Sequence, residues 1–293
     1  MSDLKGKTLL ISGASRGIGL AIGLRAARDG ANVAVLAKTA EPHPKLEGTI
    51  HTAAAEIEAA GGRALALQCD IRDEAQIADA VAKTVAEFGG IDICVNNASA
   101  ISLTKLADTE PKRIDLMFGI NTRGTLLVTK ACLPHLKQAA NPHVLTLSPP
   151  LDMKAKWFAG SVAYSIAKYG MSLAVLGLAE ELREDGVAVN ALWPRSTIAT
   201  AAIEHVLGGD KLMKMSRRPE ILADAAHLIF RQDSKSFSGN FLIDDSFLHE
   251  VGGVTGFEPY KVVPGGMLAP DFFVPEDHKP PPGVEIAPAS IWR

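Results

Sequence analysis

The sequence lacks a long apolar run, a strong charge of either sign and a cysteine pattern. No stretch approaches the ~20 apolar residues of a membrane-spanning helix, and the segment after Met1 shows no signal peptide, so we expect a cytoplasmic protein without a membrane span. A net charge of −3 carries no basic footprint for nucleic acid. Cys69, Cys94 and Cys132 are widely spaced and indicate buried thiols in a reducing compartment. The eight histidines do not cluster either, so we expect no metal site.

What is present is enough apolar material for one large α/β domain. The 293 residues are 47% hydrophobic, and short apolar runs alternate with amphipathic stretches. This alternation predicts a doubly wound, seven-stranded parallel sheet with helices on both faces. The predicted strands are 8–12, 33–37, 64–69, 91–95, 144–147, 187–192 and 240–243. The predicted helices are 18–29, 48–60, 74–88, 113–137 and 163–185.

Two stretches interrupt this alternation. Residues 39–48 form a long predicted loop after the second strand, where it would lie beside an adenosine ribose. Residues 251–293 are rich in proline and glycine. We therefore expect a domain over residues 1–250, followed by a C-terminal extension (251–293) that lies irregularly on the surface or on a neighbouring subunit.

A glycine fingerprint follows the first predicted strand and begins a predicted helix. Gly13, Gly17 and Gly19, with Ser15 and Ile18 between them, allow a tight turn and a close approach of the backbone to a pyrophosphate. The helix N-terminus then faces the negative charge. A plain glycine-rich turn is the alternative interpretation.

Charge after the second strand distinguishes the two nicotinamide cofactors. An acidic residue there binds the ribose hydroxyls of NAD, whereas a basic residue accommodates the 2′-phosphate of NADP. The second strand is followed by Lys38, with no acid at its end, and Arg16 lies in the glycine loop. These two cations favour NADP(H), although both could simply be solvated.

The third and fourth strands end in further candidates for cofactor contact. Asp70 could accept a hydrogen bond from the adenine amino group, with Ile71 beside it, or it could cap the next helix. Asn97, Ala98 and Ser99 are small enough to let the backbone approach the cofactor. Asn96, which precedes them, could contact the cofactor or could instead tie neighbouring strands together.

Tyr164 and Lys168 are spaced by one helical turn and therefore share a helix face. An ammonium group held near a phenol favours the phenolate, so the hydroxyl could exchange a proton closer to neutral pH than its free value of about 10. This pair predicts a site of proton transfer.

The glycine motif, Asp70, the Asn-Asn-Ala run, Asn121, Tyr164 and Lys168 occur in an order that resembles the short-chain dehydrogenase/reductase family over roughly residues 5 to 250. The resemblance implies a single Rossmann-like domain that transfers hydride between a nicotinamide and a carbonyl or alcohol. Tyr164 would be the general acid/base, and Lys168 would bind the nicotinamide ribose and lower the pKa of Tyr164. Asn121 would hold a water that links Lys168 to solvent, and Pro194 would lie against the nicotinamide amide.

Several runs are similar to the hydroxysteroid dehydrogenase-like group of this family. The resemblance implies a hydrophobic, lipid-like or steroid-like substrate with a carbonyl or secondary alcohol. Members of that group carry a further sterol-carrier-type lipid-binding domain, which we do not expect in this chain. The runs are 37–49, 97–104, 148–150, 163–171 and 189–194.

One departure concerns the serine that orients substrate in this family. The position 13 residues before Tyr164, where the family usually places it, is Leu151. Ser148, in a Ser-Pro-Pro run, is the remaining candidate to polarise the carbonyl. If it does not, a non-catalytic NADP(H)-binding regulator or scaffold becomes the alternative function. An isomerase or dehydratase on the same fold is a third hypothesis.

The remaining candidates each have two interpretations. Trp157 and Phe158 could line an apolar pocket or serve in packing. Arg195 replaces a glycine common in the family, and we favour a surface position for it over contact with an anionic substrate. The apolar stretch 159–178 suits packing against a second subunit, which predicts a homodimer or homotetramer, or else core packing alone.

Overall fold

The computed structural model describes residues 3–44, 46–204 and 209–292. Its centre is a sheet of seven parallel strands in the order β3-β2-β1-β4-β5-β6-β7. The chain turns back at β1, which pairs with both β2 and β4 and creates the switch point of a doubly wound fold. The strands are β1 (Thr8–Ser12), β2 (Asn32–Ala37), β3 (Arg63–Gln68), β4 (Ile93–Asn96), β5 (His143–Thr146), β6 (Ala188–Trp193) and β7 (Phe241–Ile243).

The strands form where the sequence has short apolar runs that both faces of the sheet can bury. Every residue of β1, β2, β4, β5 and β6 is buried, as expected for a parallel sheet covered by helices on each side. The edge strand β3 begins with the exposed Arg63. The predicted fold class is confirmed, and each predicted strand is found within two residues of its expected bounds.

Helices cover both faces of the sheet. For example, the helix at 74–88 begins where the Asp73 side chain accepts from the backbone of Ala75 and Gln76, and it ends at the left-handed Gly89. The helices are α1 (Gly17–Ala27), α2 (Ile50–Ala59), α3 (Glu74–Phe88), α4 (Pro111–Met117), α5 (Thr125–Leu136), α6 (Val162–Glu181), α7 (Gly209–Lys214), α8 (Glu220–Phe230) and α9 (Asp244–Glu250).

The single helix predicted over 113–137 is wrong, because a π-helical turn at Phe118–Gly124 separates α4 from α5. Such turns are rare and concentrate at functional sites. This one carries the buried Asn121. At its end a Cβ on Gly124 would lie 2.7 Å from Cδ1 of Ile71, so the helix lies close to the segment after β3. The wider turn therefore brings Asn121 to the edge of the sheet where the cofactor residues lie.

The long helix α6 is apolar for a reason specific to this fold. Among the helices of the described residues, it alone is long and apolar enough to cross a membrane, but 56% of its most apolar window is buried inside the protein. It packs against β5 and β6 and contributes Val175 and Ala179 to the core. Its composition is that of a core helix.

The C-terminal extension consists of turns, isolated bridges and short 3₁₀ helices, and it is anchored in the domain by buried side chains as well as lying on the surface as we expected. Phe257, Leu268 and Phe273 are buried in the body of the domain. The backbone also joins it to the loop after β6, where Thr197 N–H donates to Ala269 O at 3.0 Å. Apolar side chains placed at intervals along irregular backbone fill grooves between α8, α9 and α6, so the chain forms one domain.

Candidate active site

A cleft of about 1050 Å³ opens where the strands β1 to β4 end. Its position is that of ligand sites in open α/β sheets. Four residues predicted to bind the cofactor do not line it: Gly19, Tyr164, Lys168 and Pro194. The predicted residues that do line it are Gly13, Ser15, Arg16, Gly17, Ile18, Lys38, Asp70, Ile71, Asn97, Ala98 and Ser99.

The glycines of the fingerprint have separate structural reasons. Gly13 (φ +68°) and Gly17 (φ +58°) adopt the left-handed backbone that side chains disfavour. A Cβ on Gly13 would also lie 2.8 Å from Cα of Ala98. A Cβ on Gly19 would lie 2.5 Å from Nδ2 of Asn97, so this glycine permits internal packing. The turn is a backbone cradle at the N-terminus of α1, which suits a phosphate.

Asn97 joins the two strands at the switch point. Its Nδ2 donates to the carbonyl oxygens of Ser12 and Gly13, both at 3.0 Å, and its backbone N–H donates to Ser12 Oγ at 3.1 Å. The Asn97 side chain therefore ties the end of β4 to the end of β1, whereas Asn96, for which we considered this role, donates its Nδ2 to Thr129 Oγ1 of α5 at 2.8 Å. The Asn97 backbone remains on the wall of the cleft.

Lys38 and Asp70 form an ion pair across the mouth of the cleft. The Lys38 ammonium lies 3.1 Å from Asp70 Oδ2, and the Lys38 side chain is 58% exposed. Arg72 also binds this carboxylate, with Nη2 at 2.5 Å, and together the two cations hold the pKa of Asp70 well below its usual range. Asp70 does not cap α3, since Asp73 does. Asp70 thus enters the cleft as a carboxylate with two cationic partners.

Arg16 has a different role from Lys38. Its Nε donates to the carbonyl oxygen of Glu47 at 2.7 Å, and its Nη2 donates to that of Gly48 at 2.6 Å. These bonds hold the end of the loop 39–48 against the glycine turn. In this conformation Arg16 shapes the cleft through the loop, and Lys38 is the more available cation.

Tyr164 and Lys168 lie on α6, and Lys168 is next to the carboxyl ends of β5 and β6. Both are buried, with Tyr164 5% exposed. Lys168 Nζ donates to Leu147 O at 2.9 Å and lies 5.1 Å from the ring centroid of Trp193. Burial lowers the pKa of Lys168 to about 8, with the Asp271 carboxylate acting in the opposite direction. Lys168 is therefore still mostly an ammonium at neutral pH, but it gives up its proton more easily than a free lysine does.

The pKa of Tyr164 is shifted in the direction opposite to the one we expected from Lys168. Burial raises the pKa of the phenol above its ordinary value, and the nearby Asp271 carboxylate raises it further. Within the described residues, its hydroxyl has no hydrogen-bond partner. In this state Tyr164 is a protonated phenol, and its raised pKa means that it holds its proton more tightly than a free tyrosine does.

Asn121 lies in the π-helical turn, and its side chain bonds to the loop after β4. Its Oδ1 accepts from Ala100 N–H at 2.7 Å, and its Nδ2 donates to Ala100 O at 3.0 Å. Both groups of the amide are therefore used in holding this loop against the π-helical turn. Its role in holding a water remains a prediction.

Ser148 is sealed inside the protein. The residue has no exposed surface, and its Oγ has no hydrogen-bond partner among the described residues. The following Pro149 is held by its carbonyl oxygen, which accepts from Ser172 Oγ at 2.7 Å. To polarise a substrate carbonyl, Ser148 would have to move out of this packing.

An aromatic cluster surrounds Tyr164 and consists of Trp157, Tyr164, Tyr169, Trp193 and Phe273. Phe273 is at its centre, with ring centroids 6.1 Å from Tyr164, 6.0 Å from Trp157 and 5.9 Å from Trp193. Trp157 therefore belongs to the apolar surroundings of the tyrosine, as one interpretation proposed. Sequence reasoning missed Phe273, although a Phe-Phe pair in a segment rich in proline and glycine is a signal of burial.

The neighbouring Phe158 has the other predicted role, which is packing. Its ring packs on Tyr169 with centroids 4.8 Å apart, and Tyr169 in turn donates its hydroxyl to Asp152 O at 2.6 Å. Phe158 thus supports the aromatic cluster from outside and serves in packing.

The favoured surface position of Arg195 is wrong, because the residue is only 3% exposed. Its Nε donates to Asp245 at 2.7 Å, and its Nη2 donates to Ser246 Oγ at 2.6 Å. Its Nη1 donates to the carbonyl oxygen of His278 at 2.7 Å. A single guanidinium therefore joins the loop after β6, the start of α9 and the C-terminal extension. Asp244 accepts from the backbone N–H of Arg195, and Asp245 accepts from its guanidinium. Sequence spacing alone could not place these two carboxylates next to Arg195.

Comparison with known proteins agrees with this geometry. The family model described as short chain dehydrogenase matches residues 7–206. Hydroxysteroid dehydrogenase-like protein 2 of Danio rerio is 58% identical over 277 residues, which are 94% of the chain and 66% of that protein. The chain thus spans slightly less than two thirds of the length of this curated relative.

Two solved structures extend the comparison. A short chain dehydrogenase from Mycobacterium thermoresistibile is 55% identical, with a TM-score of 0.90 over 97% of this chain and 100% of that one. A metagenomic short-chain oxidoreductase in complex with NADP is 28% identical, with a TM-score of 0.68 over 83% of this chain and 98% of that one. The similarity to the first includes the C-terminal extension for most of its length.

Proposed function

Because the chain belongs to the short-chain dehydrogenase/reductase family, we propose that it is an NADP(H)-dependent oxidoreductase acting on a carbonyl or secondary alcohol of a hydrophobic, lipid-like or steroid-like substrate. One observation carries this proposal. The buried Tyr164–Lys168 pair lies at the same sheet edge as the glycine-turn cleft, with Lys168 bonded to the residue that follows β5. The apolar rings of the aromatic cluster support a hydrophobic substrate.

The cleft fits a dinucleotide on its own geometry. Gly13 and Gly17 place backbone without a Cβ on the wall of the cleft, where a pyrophosphate could approach it, and the cleft volume of about 1050 Å³ is sufficient. Lys38 would hold the 2′-phosphate. Its bond to Asp70 is largely exposed, and such pairs are worth about 0–1 kcal/mol, so the ammonium can exchange this partner for a phosphate. When bound, NADPH supplies the hydride.

The chain's own residues would handle the proton. Tyr164, protonated and buried, would donate its hydroxyl proton to the alkoxide that forms from the carbonyl. Lys168, with its pKa lowered to about 8, would return a proton to the tyrosine. Asn121 would support the path from Lys168 to solvent.

Replacement of the tyrosine tests the mechanism. We expect Tyr164→Phe to lower kcat by about 10²–10⁴, the usual contribution of general acid–base catalysis, while NADPH binding by fluorescence titration stays unchanged. The matched control is Tyr260→Phe, because the Tyr260 hydroxyl bonds Asp224 outside the aromatic cluster. Turnover at the wild-type rate in Tyr164→Phe would reject the mechanism.

Charge reversal tests the cofactor preference. Lys38→Asp should weaken NADPH selectively and leave NADH binding equal or improved, since a carboxylate repels the 2′-phosphate and can bind ribose hydroxyls. Lys83→Asp is the control, because this exposed lysine of α3 pairs with Asp79 outside the cleft. An unchanged preference in Lys38→Asp would place phosphate recognition elsewhere.

A second candidate function is a non-catalytic NADP(H)-binding regulator or scaffold. The sealed Ser148 hydroxyl and the buried Tyr164 favour it, because the structure offers a substrate fewer polar contacts than the family pattern implies. An NADPH titration beside turnover assays with decanal, cyclohexanone and progesterone separates the two functions. Binding without consumption of NADPH by any of the three would support the regulator.

We also propose that the protein is a homodimer or homotetramer through an apolar strip on α5 and α6. Ile166, Leu173 and Leu176 are 44%, 53% and 52% exposed on α6, and Leu126 of α5 is 43% exposed. Burial of this strip would remove apolar surface from water. Light scattering after Leu173→Lys should show a smaller species than wild type, and an unchanged mass would reject this interface.

The thiols support a reducing, cytoplasmic setting, which we propose for the protein. Cys69, Cys94 and Cys132 are buried and unbonded to one another by disulfides. Burial and nearby carboxylates raise the pKa of Cys69 to about 11, so it stays a thiol. Localisation of a tagged full chain by microscopy tests this proposal.

A further inference from the structure

The C-terminal extension places a carboxyl group next to the proton-transfer pair. Asp271 precedes Phe272 and Phe273, and the latter packs its ring 6.1 Å from that of Tyr164. The Asp271 carboxylate is close enough to act on the pKa values of both Tyr164 and Lys168.

The position of Asp271 is fixed from both sides. Its backbone N–H donates to Arg195 O at 2.9 Å, and Arg195 itself is held by its buried bonds to Asp245 and Ser246. On the other side, Phe272 O accepts from Trp193 Nε1 at 2.7 Å. The carboxyl group is therefore carried by a segment that two buried side chains hold in place.

The backbone at this point is strained. Phe273 has φ +66° and is, within the described ranges, the one residue other than glycine with a left-handed backbone. Such a conformation is unfavourable for a bulky side chain and persists only where the surroundings enforce it. Here it accompanies the entry of the Phe273 ring into the aromatic cluster, two residues after Asp271. Strain of this kind is concentrated at functional sites.

One oxygen of Asp271 remains available. Oδ1 accepts from Phe272 N–H at 2.7 Å, and Oδ2 has no hydrogen-bond partner among the described residues. In contrast to Ser148 Oγ, Oδ2 is not sealed, since the residue is only half-buried. It is thus an unpaired polar atom in a segment whose next two residues, Phe272 and Phe273, pack in the apolar cluster around Tyr164.

We propose that Asp271 is a substrate-binding residue, whose carboxyl group binds the carbonyl or hydroxyl end of the substrate beside Tyr164, in the role that the sealed Ser148 cannot fill. This inference rests on the proposed oxidoreductase function. The protonated carboxyl group donates to a carbonyl oxygen, and the carboxylate accepts from an alcohol hydroxyl. The same side chain can therefore serve both directions of the reaction.

The proposal has a pH signature. Burial, together with the Asp244 carboxylate, raises the pKa of Asp271 to about 8, while the hydrogen bond from Phe272 N–H and the Lys168 ammonium act in the opposite direction. Tyr164 and Lys168 face this group from α6, Asp244 from the start of α9, and Arg195 through its backbone. For a carbonyl substrate, KM should be low below this pKa and rise above it, as the donor is lost.

The test compares Asp271→Ala and Asp271→Asn with Asp277→Asn, an exposed acid of the same extension. The probes are decanal, cyclohexanone and progesterone with NADPH, and the readouts are KM, kcat and the Kd of NADPH between pH 6 and pH 10, a range of about two units on each side of the expected inflection. Asp271→Ala should raise KM about tenfold, as for one lost hydrogen bond, without changing the Kd of NADPH. Asp271→Asn keeps a donor and should remove the rise of KM with pH, while an inflection of kcat from Lys168 remains. Asp277→Asn should match wild type.

The outcomes separate the inference from the function it rests on. Wild-type turnover with an unchanged KM and pH profile in both Asp271 variants overturns the inference alone. Binding of NADPH without turnover of any probe by wild type rejects the proposed function and the inference with it. If Asp271→Ala does not fold, Asp271→Asn decides, because its amide oxygen can still accept from Phe272 N–H.

Discussion

The two ends of the candidate site use charge in opposite ways. At the adenosine end, Lys38 pairs with Asp70 at the mouth of an open cleft, and its side chain is 58% exposed. At the catalytic end, Arg195 pairs with Asp245 inside the protein, and its side chain is 3% exposed. Water screens the first pair and is excluded from the second.

This difference separates charges that can bind a ligand from charges that stabilise the fold. An exposed cation can change partners at little cost and is suited to a ligand phosphate. A buried ion pair cannot lose one partner without leaving a charge in a medium of low dielectric constant. We therefore expect changes at the adenosine end to alter binding, and changes at the catalytic end to alter stability first.

The largest expected effect is at Arg195. Arg195→Met should lower the free energy of unfolding by about 3 kcal/mol, because it removes one of two cations from the buried Asp245. Urea unfolding followed by circular dichroism measures the loss. Arg183→Met is the control, since the pair with Glu180 is on the surface. Equal stability of the two variants would remove the distinction between the ends.

The next effect is at the centre of the aromatic cluster. Phe273→Ala should cost about 2–3 kcal/mol, as loss of a buried ring minus the relief of an unfavourable φ. Tyr164 and Trp193 should become more accessible, which quenching of tryptophan fluorescence by acrylamide detects. Met267→Ala is the exposed control in the same extension. A thermal midpoint equal to that of wild type would show that the Phe273 ring does not stabilise the aromatic cluster around Tyr164.

A smaller effect on stability is expected at the glycine turn. Gly13→Ala places a Cβ 2.8 Å from Cα of Ala98 at a left-handed φ, at a cost of about 1–2 kcal/mol. NADPH affinity should fall more than stability does, because the backbone of the cradle must move. Gly90→Ala has open space around it and serves as the control. Unchanged NADPH binding in Gly13→Ala would contradict the cradle.

The smallest effect should be at the exposed pair. Lys38→Ala should change the free energy of unfolding by no more than about 0.5 kcal/mol, and added salt should reduce even that difference. Asp70 keeps Arg72 as a partner in this variant. A loss comparable to that of Arg195→Met would mean that the adenosine end is also held together by its charges.

The sequence predicted the adenosine end better than the catalytic end for a physical reason. The turn from Gly13 to Gly19 and the strands around it depend on neighbours in sequence, since a strand, a tight turn and a helix follow one another. The short apolar runs predicted every strand of the sheet. The Tyr164–Lys168 pair was equally visible, because one helical turn joins its members.

The errors concern contacts between distant parts of the chain. The π-helical turn around Asn121 has no periodic signal of its own, so a continuous helix was the natural expectation. The burial of Arg195 depends on carboxylates of α9, and the burial of Phe273 depends on α6. The irregular backbone of the C-terminal extension hides these contacts, because proline and glycine composition reports flexibility and not position.

The packing of the extension onto α6 also implies an order of assembly. During synthesis, the strands and turns that shape the dinucleotide cleft emerge before Asp271 and Phe273 exist. Until the extension is made, the apolar side chains around Tyr164 lack the contacts of Phe273 and expose an aggregation-prone surface on the nascent chain. The proton-transfer end would thus be the last part of the molecule to mature, and premature release of the chain would yield a form that can hold a nucleotide before it can close over a substrate.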